Sequence, residues 1–516
     1  MAFDLIPADA KQPLFYAEVN SSKAGGGSTA RPSLLLGQKL ASGTATANAI
    51  VQVTGKAQAD GLFGVGSHLA RMARAYIDND KIGILYAIPV ADGAGDGASG
   101  TMTITTTATG SGTLHLYIAG QRLQISISDG DTPADVGDAI VAALGNSEAL
   151  AVTAVSQYPV YASNSGGIVT FHARNVGTLG NKLDIRVDYL GVSSSEDSED
   201  DTGMTFGACT LTGAGTDPGL TNAIAAMGDE RYSYVGHPWT DSTILTQFQT
   251  EFADSTAGRW GPYRKVYGHV FSGDVDTYAN LSTTILATAM NNDPHCSIFV
   301  IEDSPTPKWE YAAMYCARAA ASLRNDPARN LNTLELIGAK SPTLASGSRF
   351  TYSERETLLN LGLTTPMISA DGKVLIQRAV TNYTTDTYGN DDDAYMDVTT
   401  PANLDYQLTE LESLVTTKYA RCKLVSDTSV VDATQPVASP NMIAGDIVAK
   451  YKEWERRALV EDADTFASLL TVERSSTNPN RIDVLYPPDL ANNLHIFAMV
   501  AEFRLAYTQS ETEAAA

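Results

Sequence analysis

The chain has 516 residues, of which 43% are hydrophobic, so it can form about three or four domains with real cores, and it is not a disordered chain. Its formal net charge of −24, from 35 Lys and Arg against 59 Asp and Glu, argues against a protein that coats nucleic acid, because such a protein needs a basic surface. The cysteines Cys209, Cys296, Cys316 and Cys422 form no C-x-x-C pair and are too few for a disulfide scaffold, so we interpret them as reduced, mostly buried thiols.

No targeting or membrane segment is predicted. The amino-terminal sequence MAFDLIPADAKQPLF lacks an apolar signal core, and no stretch approaches about 18 uninterrupted apolar residues. We therefore expect synthesis in a cytoplasm, with neither a membrane nor a nucleic acid as a direct partner.

The first 33 residues predict an arm and a linker. Residues 13–19, PLFYAEV, have the pattern of a short strand, and a Gly- and Ser-rich stretch that is typical of flexible linkers follows them. A lone strand on a tether is unstable, so it must pair with a sheet, and we predict a sheet of a neighbouring subunit rather than its own. Gly25-Gly26-Gly27 predicts a hinge, because glycine changes its backbone angles without steric cost; a linker without a defined role is the alternative.

Strands and helices alternate over 34–96 and again over 205–399. In chain order the pattern predicts strands at 34–40, 49–54, 83–90, 232–236, 265–271 and 296–302, and helices at 66–78, 218–227, 241–253, 276–290 and 307–324. This alternation predicts an α/β core, a mostly parallel sheet with flanking helices.

A small α+β domain is predicted as an insertion at 97–204. LHLYI (114–118) and LQISI (123–127) flank a short turn and predict a β-hairpin, and Thr132-Pro133 opens a helix to about Leu144. Further strands are expected near 150–156, 168–173 and 183–190, before an acidic loop at 193–203.

Residues 400–516 predict an α+β assembly domain that ends in a second extended arm. Its first helix carries an apolar stripe of Leu404, Leu408, Leu411 and Val415, and its second, at 441–458, turns Ile443, Ile447, Tyr451 and Trp454 inward. Strands are predicted at 469–475 and 481–487. A final strand at 494–507 would contain Ile496, Phe497, Ala498, Met499 and Val500.

The second helix also carries four cations in an acidic chain: Lys450, Lys452, Arg456 and Arg457. Lys452 and Arg456 are four residues apart and Lys450 and Arg457 seven apart, so each pair shares a helix face. The cluster predicts contact with a partner; the alternative is a solvated face that Glu453, Glu455 and Asp446 neutralise.

Catalytic motifs are missing: the sequence has no P-loop, no H-E-x-x-H and no G-x-S-x-G. His237 and Asp241 follow a predicted strand and could form an active site, but we interpret Pro238-Trp239 as a packed corner and Asp241 as a helix cap. The trio 391–393, three aspartates, lacks the Gly and Glu of a calcium loop and predicts a solvated acidic turn. We therefore expect no catalytic, cofactor or metal site.

The last hundred residues resemble the carboxy terminus of Mu-like phage tail sheath proteins. The resemblance rests on YKEWERRALVED (451–462), on the VERSS, NPNRIDVL and PPDL segments within 472–490, and on the final predicted strand. IPADAKQPLFYAEVNSSKA, RPSLLLGQKLASGTA and MGDERYSYVGHPWTD (227–241) are also similar to that family, and the resemblance is weakest over 91–205.

The resemblance implies a structural subunit of a contractile tail sheath in the virion tail, and no enzyme. Such subunits stack as hexameric rings around a tail tube in a metastable extended state, and contraction drives the tube through the host envelope. Implied partners are further copies, the tail tube protein as the contact of the four cations, and baseplate and tail terminator proteins. Arms that complete a sheet in a neighbour would be Ile496–Val500 and, at the other end, Leu14, Phe15, Tyr16, Ala17, Glu18 and Val19.

Two other functions stay open at this point. A hydrolase could use the same doubly wound α/β sheet, because fold does not determine function. A different phage polymer, a tube or capsid subunit, is the second alternative, although those lack this alternation of strands and helices.

Overall fold

The computed structural model describes residues 31–145, 157–190, 202–285, 292–342, 349–432, 434–503 and 505. The first part of the body contains β1 (Ser33–Gln38), β2 (Val51–Val53), α1 (Lys56–Phe63), α2 (His68–Asn79) and β3 (Leu85–Val90). An inserted unit follows with β4 (Gly97–Thr105), β5 (Gly112–Ile118), β6 (Gln121–Ile127), α3 (Pro133–Leu144), β7 (Val160–Ser165), β8 (Ile168–Val176), β9 (Asp184–Val187), β10 (Thr205–Phe206) and β11 (Cys209–Thr210).

The body resumes after the insertion. Its elements are α4 (Thr221–Ala226), β12 (Tyr234–Gly236), α5 (Ser242–Phe252), β13 (His269–Val275), α6 (Tyr278–Asn280), β14 (Cys296–Ile301), α7 (Lys308–Asn325), α8 (Tyr352–Asn360), β15 (Leu363–Ile368) and β16 (Val374–Arg378). The carboxy-terminal part contains α9 (Thr399–Lys418), β17 (Lys423–Leu424), β18 (Val437–Ala438), α10 (Pro440–Arg456), α11 (Ala463–Leu469), β19 (Thr471–Arg474) and β20 (Ile482–Leu485).

An eight-stranded sheet in the order β16-β15-β14-β13-β12-β1-β3-β2 organises the body. Its six inner strands run parallel, and the edge strands β2 and β16 run antiparallel. Strands β1 and β14 are buried along their whole length, as parallel strands with both faces covered require. The predicted α/β class is confirmed, although the strand expected at 265–271 forms later, at His269–Val275.

The inserted unit consists of two four-stranded sheets and α3. The predicted hairpin is β5–β6, whose turn residues Ala119 and Gly120 have φ of 51° and 74°, the positive values that a tight hairpin turn needs. The predicted start of α3 is also present, since Thr132 and Asp135 form a reciprocal capping box. The strand expected at 150–156 lies outside the described residues, as do 193–201 of the acidic loop.

The inserted sheets continue past residue 204, where the acidic loop had suggested a boundary. Strand β10 pairs with β4, and β11 pairs with β9, so both belong to the inserted sheets although they follow that loop. The pairing of strands that are distant in sequence determines how far the inserted sheets extend, whereas the predicted boundary was based on a change of composition. The division into five ranges stays a prediction.

The inserted unit lies on the edge of the body sheet where the parallel strands end. At the ends of four strands, a polar residue of the body bonds to a residue of the inserted unit: Gln38 with Val176, Asp92 with Asn175, Asp276 with Lys182, and Asp303 with Arg186. Open α/β sheets bind their ligands in the crevice at this edge. In this protein the inserted unit occupies that crevice.

Arg71 of α2 is the buried centre of this junction. Its Nε lies 2.6 Å from Glu310 Oε1 on α7, and its guanidinium also donates to Gln121 and to the carbonyl oxygens of Ala119 and Gln157 in the inserted unit. Only 4% of the Arg71 side chain is exposed. One cation thus connects two body helices to the inserted hairpin.

A second, smaller core lies in the carboxy-terminal part. Ile447, Tyr451 and Trp454 of α10 are buried as predicted, and the ring of Tyr451 stacks on that of Phe466 with centroids 3.7 Å apart. Ile443 is half-buried against the same cluster. The hairpin β19–β20 follows this core in the chain.

The apolar stripe predicted for α9 is only partly buried. Its three leucines are half-buried and Val415 is 45% exposed, whereas the polar residues Asn403, Asp405 and Gln407 are buried. Asn403 donates to the Leu459 carbonyl at 2.7 Å, so the polar side of α9 makes the contacts between the two cores. A hydrophobic stripe could not reveal this, because the buried polar groups have hydrogen-bonding partners from distant segments.

Three of the four cysteines are buried, and all four are free thiols. Burial raises the pKa of the Cys209 thiol to about 11, and it raises those of Cys296 and Cys316 well above their usual range. Cys422 is half-buried.

We expect Arg71→Ala to lower the free energy of unfolding by about 3–5 kcal/mol, because Glu310 would keep a buried charge without a partner. Lys182→Ala is the control: its pair with Asp276 also joins the inserted unit to the body, but Lys182 is 43% exposed, and such pairs contribute about 0–1 kcal/mol. Urea unfolding followed by circular dichroism measures both. Equal losses in the two variants would contradict the central role of Arg71.

Candidate assembly interface

The carboxy-terminal tail carries the most exposed apolar segment of the described chain. Ile496, Phe497, Met499, Val500 and Phe503 are each at least 75% exposed. Both sets of alternating positions are apolar, so a strand formed here would be buried on both faces. Contiguous exposed apolar surface of this kind marks an interaction site.

The predicted strand at 494–507 is absent from the described part of this segment, residues 494–503 and 505. Before this segment, a backbone hydrogen bond from Ala491 N to the Leu459 carbonyl, at 3.2 Å, still holds the chain. A strand requires a neighbouring strand to pair with its N–H and C=O groups, and the single chain gives the tail none within the described residues.

The hairpin β19–β20 presents open strand edges. Within the part of the chain that the structure describes, each strand pairs only with the other, in register from Thr471 opposite Leu485 to Arg474 opposite Ile482. An isolated two-stranded hairpin is marginally stable, and its free edges accept further strands. Open edges and an unpaired apolar tail are typical of a protein that assembles with copies of itself.

The four cations of α10 divide into two pairs, as their spacing predicted. Lys450 Nζ lies 2.8 Å from Glu410 Oε2 and 3.1 Å from Glu453 Oε2, and Arg457 donates to the Tyr406 hydroxyl at 2.6 Å. These two cations therefore contact α9 of their own chain.

Lys452 and Arg456 form the outward pair. Lys452 lies 3.3 Å from Asp464, whose side chain is almost fully exposed, and Arg456 is exposed. Of the three acids expected to neutralise the cluster, only Glu453 pairs with one of these cations in the described residues: Asp446 binds Lys418 and Tyr419, and Glu455 accepts a bond from the Ala463 amide.

The corner at His237 is structural. Asp241 accepts a hydrogen bond from Ile244 N at 3.0 Å and caps α5, and Trp239 is buried, as the packed-corner interpretation predicted. His237 is buried with its ring stacked on Phe248, centroids 4.2 Å apart. Burial, reinforced by the nearby Lys308 charge, lowers the pKa of His237 to about 3.

Asp392 accepts a bond from the Tyr383 hydroxyl at 2.5 Å within the acidic turn, and the described residues contain no cluster of potential metal ligands. In the same part of the chain, no helix is long and apolar enough to cross a membrane. The arm residues 14–19 and the glycines 25–27 lie outside the described residues.

Sequence reasoning missed two contacts where the chain ends leave the body. Arg31 pairs with Asp405, and His495 pairs with Asp397. The sequence contains only weak signals for these contacts. One was an arginine just before the first strand, and the other was a pair of acids, one just before α9 and one within it, whereas α9 was interpreted from its apolar stripe alone.

Comparison with known proteins identifies the kind of assembly. Residues 213–382 match the family model of the phage tail sheath protein central domain, and residues 390–504 match that of the phage tail sheath C-terminal domain. The chain is 32% identical over 508 residues to the tail sheath protein of the Mu-like prophage FluMu of Haemophilus influenzae, which covers 98% of this chain and 100% of that protein. It is therefore a structural subunit of a phage tail, part of a polymeric tail assembly in the virion. The chain belongs to the phage tail sheath family.

Solved structures of low sequence identity are similar along most of the chain. The sheath tail protein of Desulfitobacterium hafniense has 11% identity and a TM-score of 0.47, and covers 94% of this chain and 97% of its own. The sheath tail protein of Listeria innocua has 12% identity and a TM-score of 0.46, with 90% and 93% covered. A chain of the anti-feeding prophage baseplate has 11% identity and a TM-score of 0.46, with 96% and 100% covered.

The buried histidine predicts a sensitivity to acid. The pKa of His237 is lower in the folded state, about 3, than its value of about 6.5 in an unfolded chain, so the unfolded state binds the extra proton and stability falls as the pH drops below about 6.5. Between about pH 6.5 and 4.5 the natural chain should lose about 2–3 kcal/mol of unfolding free energy through this histidine. We expect His237→Phe, which keeps an aromatic ring on Phe248, not to show this loss. Urea unfolding at a series of pH values, followed by tryptophan fluorescence, measures this, and parallel curves would contradict it.

Proposed function

We propose that copies of this chain stack as hexameric rings around a tail tube, wait in an extended metastable state, and contract on a baseplate signal to drive the tube through the host envelope. Assembly in the host cytoplasm, with tail tube, baseplate and tail terminator proteins as partners, is part of the proposal. The observation that carries it is the combination of an exposed apolar tail with an open hairpin in one chain. A contact between different surfaces of identical chains generates rings or helical filaments.

The contacts before the tail favour pairing between copies over pairing within one chain. Leu490 bridges to Val460, and Asn493 donates to Thr399 Oγ1 at 2.7 Å. These contacts hold the chain against α9 and the second core before the tail begins. The tail thus starts from a fixed point, and within the described residues it pairs with neither strand of its own hairpin, so we propose that it adds to the hairpin of a neighbour.

Strand addition suits a polymer whose subunits move. Main-chain hydrogen bonds hold the arm, while buried side chains add affinity, at about 25 cal/mol per Å² of apolar area removed from water. We propose the same role for Leu14–Val19 at the other end, with Gly25, Gly26 and Gly27 as the hinge that changes its backbone angles when the body moves.

The inserted unit also weighs against the hydrolase alternative. It covers the edge of the sheet where an enzyme built on this fold would bind its substrate, and His237, the histidine that follows β12 there, is buried. The family is a structural one, and a sheath subunit accounts for both ends of the chain.

We expect Phe497→Asp with Val500→Asp to abolish polymer formation and to leave a folded monomer, because the charges would have to be buried beside a neighbour's hairpin. Tyr388→Asp is the matched control, since Tyr388 is 89% exposed and lies far along the chain from the tail. Deletion of residues 1–25 should have the same effect as the tail variant. Sedimentation velocity and electron microscopy measure assembly, and tubular polymers from the tail variant would disprove the arm exchange.

We propose Lys452 and Arg456 as the tube-facing part of the four-cation cluster, because Lys450 and Arg457 already contact α9. A tube contact must hold before contraction and release during it. Exposed ion pairs meet that need, because each contributes about 0–1 kcal/mol and salt weakens it.

Lys452→Glu with Arg456→Glu should give sheath that still polymerises but no longer coats purified tubes, and the loss should be largest at low salt. Lys81→Glu with Lys340→Glu is the control, since it makes the same change of net charge at exposed lysines of the body. Co-sedimentation with tubes over a range of salt concentrations measures the effect. If both double variants coat tubes equally well, the cations of α10 only keep the surface hydrated.

A further inference from the structure

The chain enters the body beside α9. Arg31, the first described residue, is 8% exposed, and its Nη1 lies 3.2 Å from Asp405 Oδ2. Its guanidinium also lies 5.2 Å from the centre of the Tyr406 ring. Asp405 pairs in addition with Arg231 of the body and accepts a bond from Thr409 at 3.2 Å. One buried carboxylate therefore joins the start of the chain, the body and α9.

The chain also leaves the body beside α9. His495 Nε2 lies 3.2 Å from Oδ2 of Asp397, which stands two residues before the helix, and the Asn330 amide lies 3.1 Å from His495 Nδ1. The side chain of His495 is 15% exposed, whereas Ile496 is 81% exposed. His495 is thus the last fixed residue before the tail.

We propose that the start of α9 is a common anchor for both arms, and that Arg31 and His495 are positioning residues that fix where each arm leaves the body. Asp397 stands two residues before α9, and Asp405 lies within the first two turns of that helix. The proposal rests on the proposed function, in which each arm is bound to a neighbouring subunit.

The anchor has a mechanical consequence. When a neighbour pulls on one arm, the force passes through its anchoring contact to the start of α9 and out through the other arm. Asp397 also pairs with Arg378 at the end of β16, and Asp405 with Arg231 of the body, so the same carboxylates connect this path to the eight-stranded sheet. The pull of the neighbours therefore reaches the body at one place, the start of α9.

The test uses full-length Arg31→Ala with His495→Ala, since both residues lie on the arm side of the contacts and Asp405 keeps Arg231 as a partner. In the monomer we expect hydrogen exchange at Arg31 and at residues 493–495 to accelerate about tenfold or more, while the amides of 34–38 in β1 stay protected. Lys265→Ala is the matched control, because it removes a 2.7 Å pair between the body and Glu412 of α9 without touching an arm.

The polymer provides the decisive measurement. Sheaths of the double variant, assembled on tubes and triggered with mild urea, should break or contract in part, so that electron micrographs show extended and contracted segments in one particle. The control and the conservative variant Arg31→Lys should contract in one step. The anchor hypothesis is wrong if the double variant contracts in one step although its amides at the starts of the two arms exchange faster.

The tail variant separates this result from the proposed function. If Phe497→Asp with Val500→Asp polymerises normally, the arm exchange itself fails. If that variant remains monomeric while the anchor variant contracts like the natural protein, only the anchor is wrong.

Discussion

Every backbone N–H and C=O group in a strand needs a partner, and this constraint divides the molecule in two. The body satisfies it internally: six parallel strands lie between the antiparallel edge strands β2 and β16, and helices cover the faces. The hairpin β19–β20 and the tail do not satisfy it within the described residues. Strands from outside the chain can supply the missing hydrogen bonds, so the constraint that folds the body also favours assembly.

Buried polar contacts connect the parts of the chain, in addition to the hydrophobic core that the body and the inserted unit share. Arg71 joins the inserted unit to two body helices, and Asp405 joins α9 to two arginines from other segments. A buried charge is tolerated only in a geometry that pairs it. Such contacts therefore fix the relative orientation of the connected segments as well as holding them together.

Local signals predicted much of this fold, and long-range ones did not. The helix start at Thr132, the β5–β6 turn and the packed corner after β12 depend on neighbouring residues, and all were predicted correctly. The polar side of α9 and the pairing of β10 and β11 depend on segments hundreds of residues away or across a loop, so periodicity could not reveal them. For the site, spacing correctly separated the four cations into pairs, but it could not show that Lys450 and Arg457 face their own chain. The strand at 494–507 was predicted from its composition, which indicates the ability to pair and not the presence of a partner.

The placement of the thiols bears on how long such a particle lasts. A thiolate reacts with oxidants far faster than a protonated thiol, and burial keeps Cys209, Cys296 and Cys316 protonated and out of contact with solvent. A virion waits for its host in aerated surroundings without any cellular reductant. Disulfide bonds between subunits would cross-link the tail, and the burial of three of the four cysteines slows that reaction.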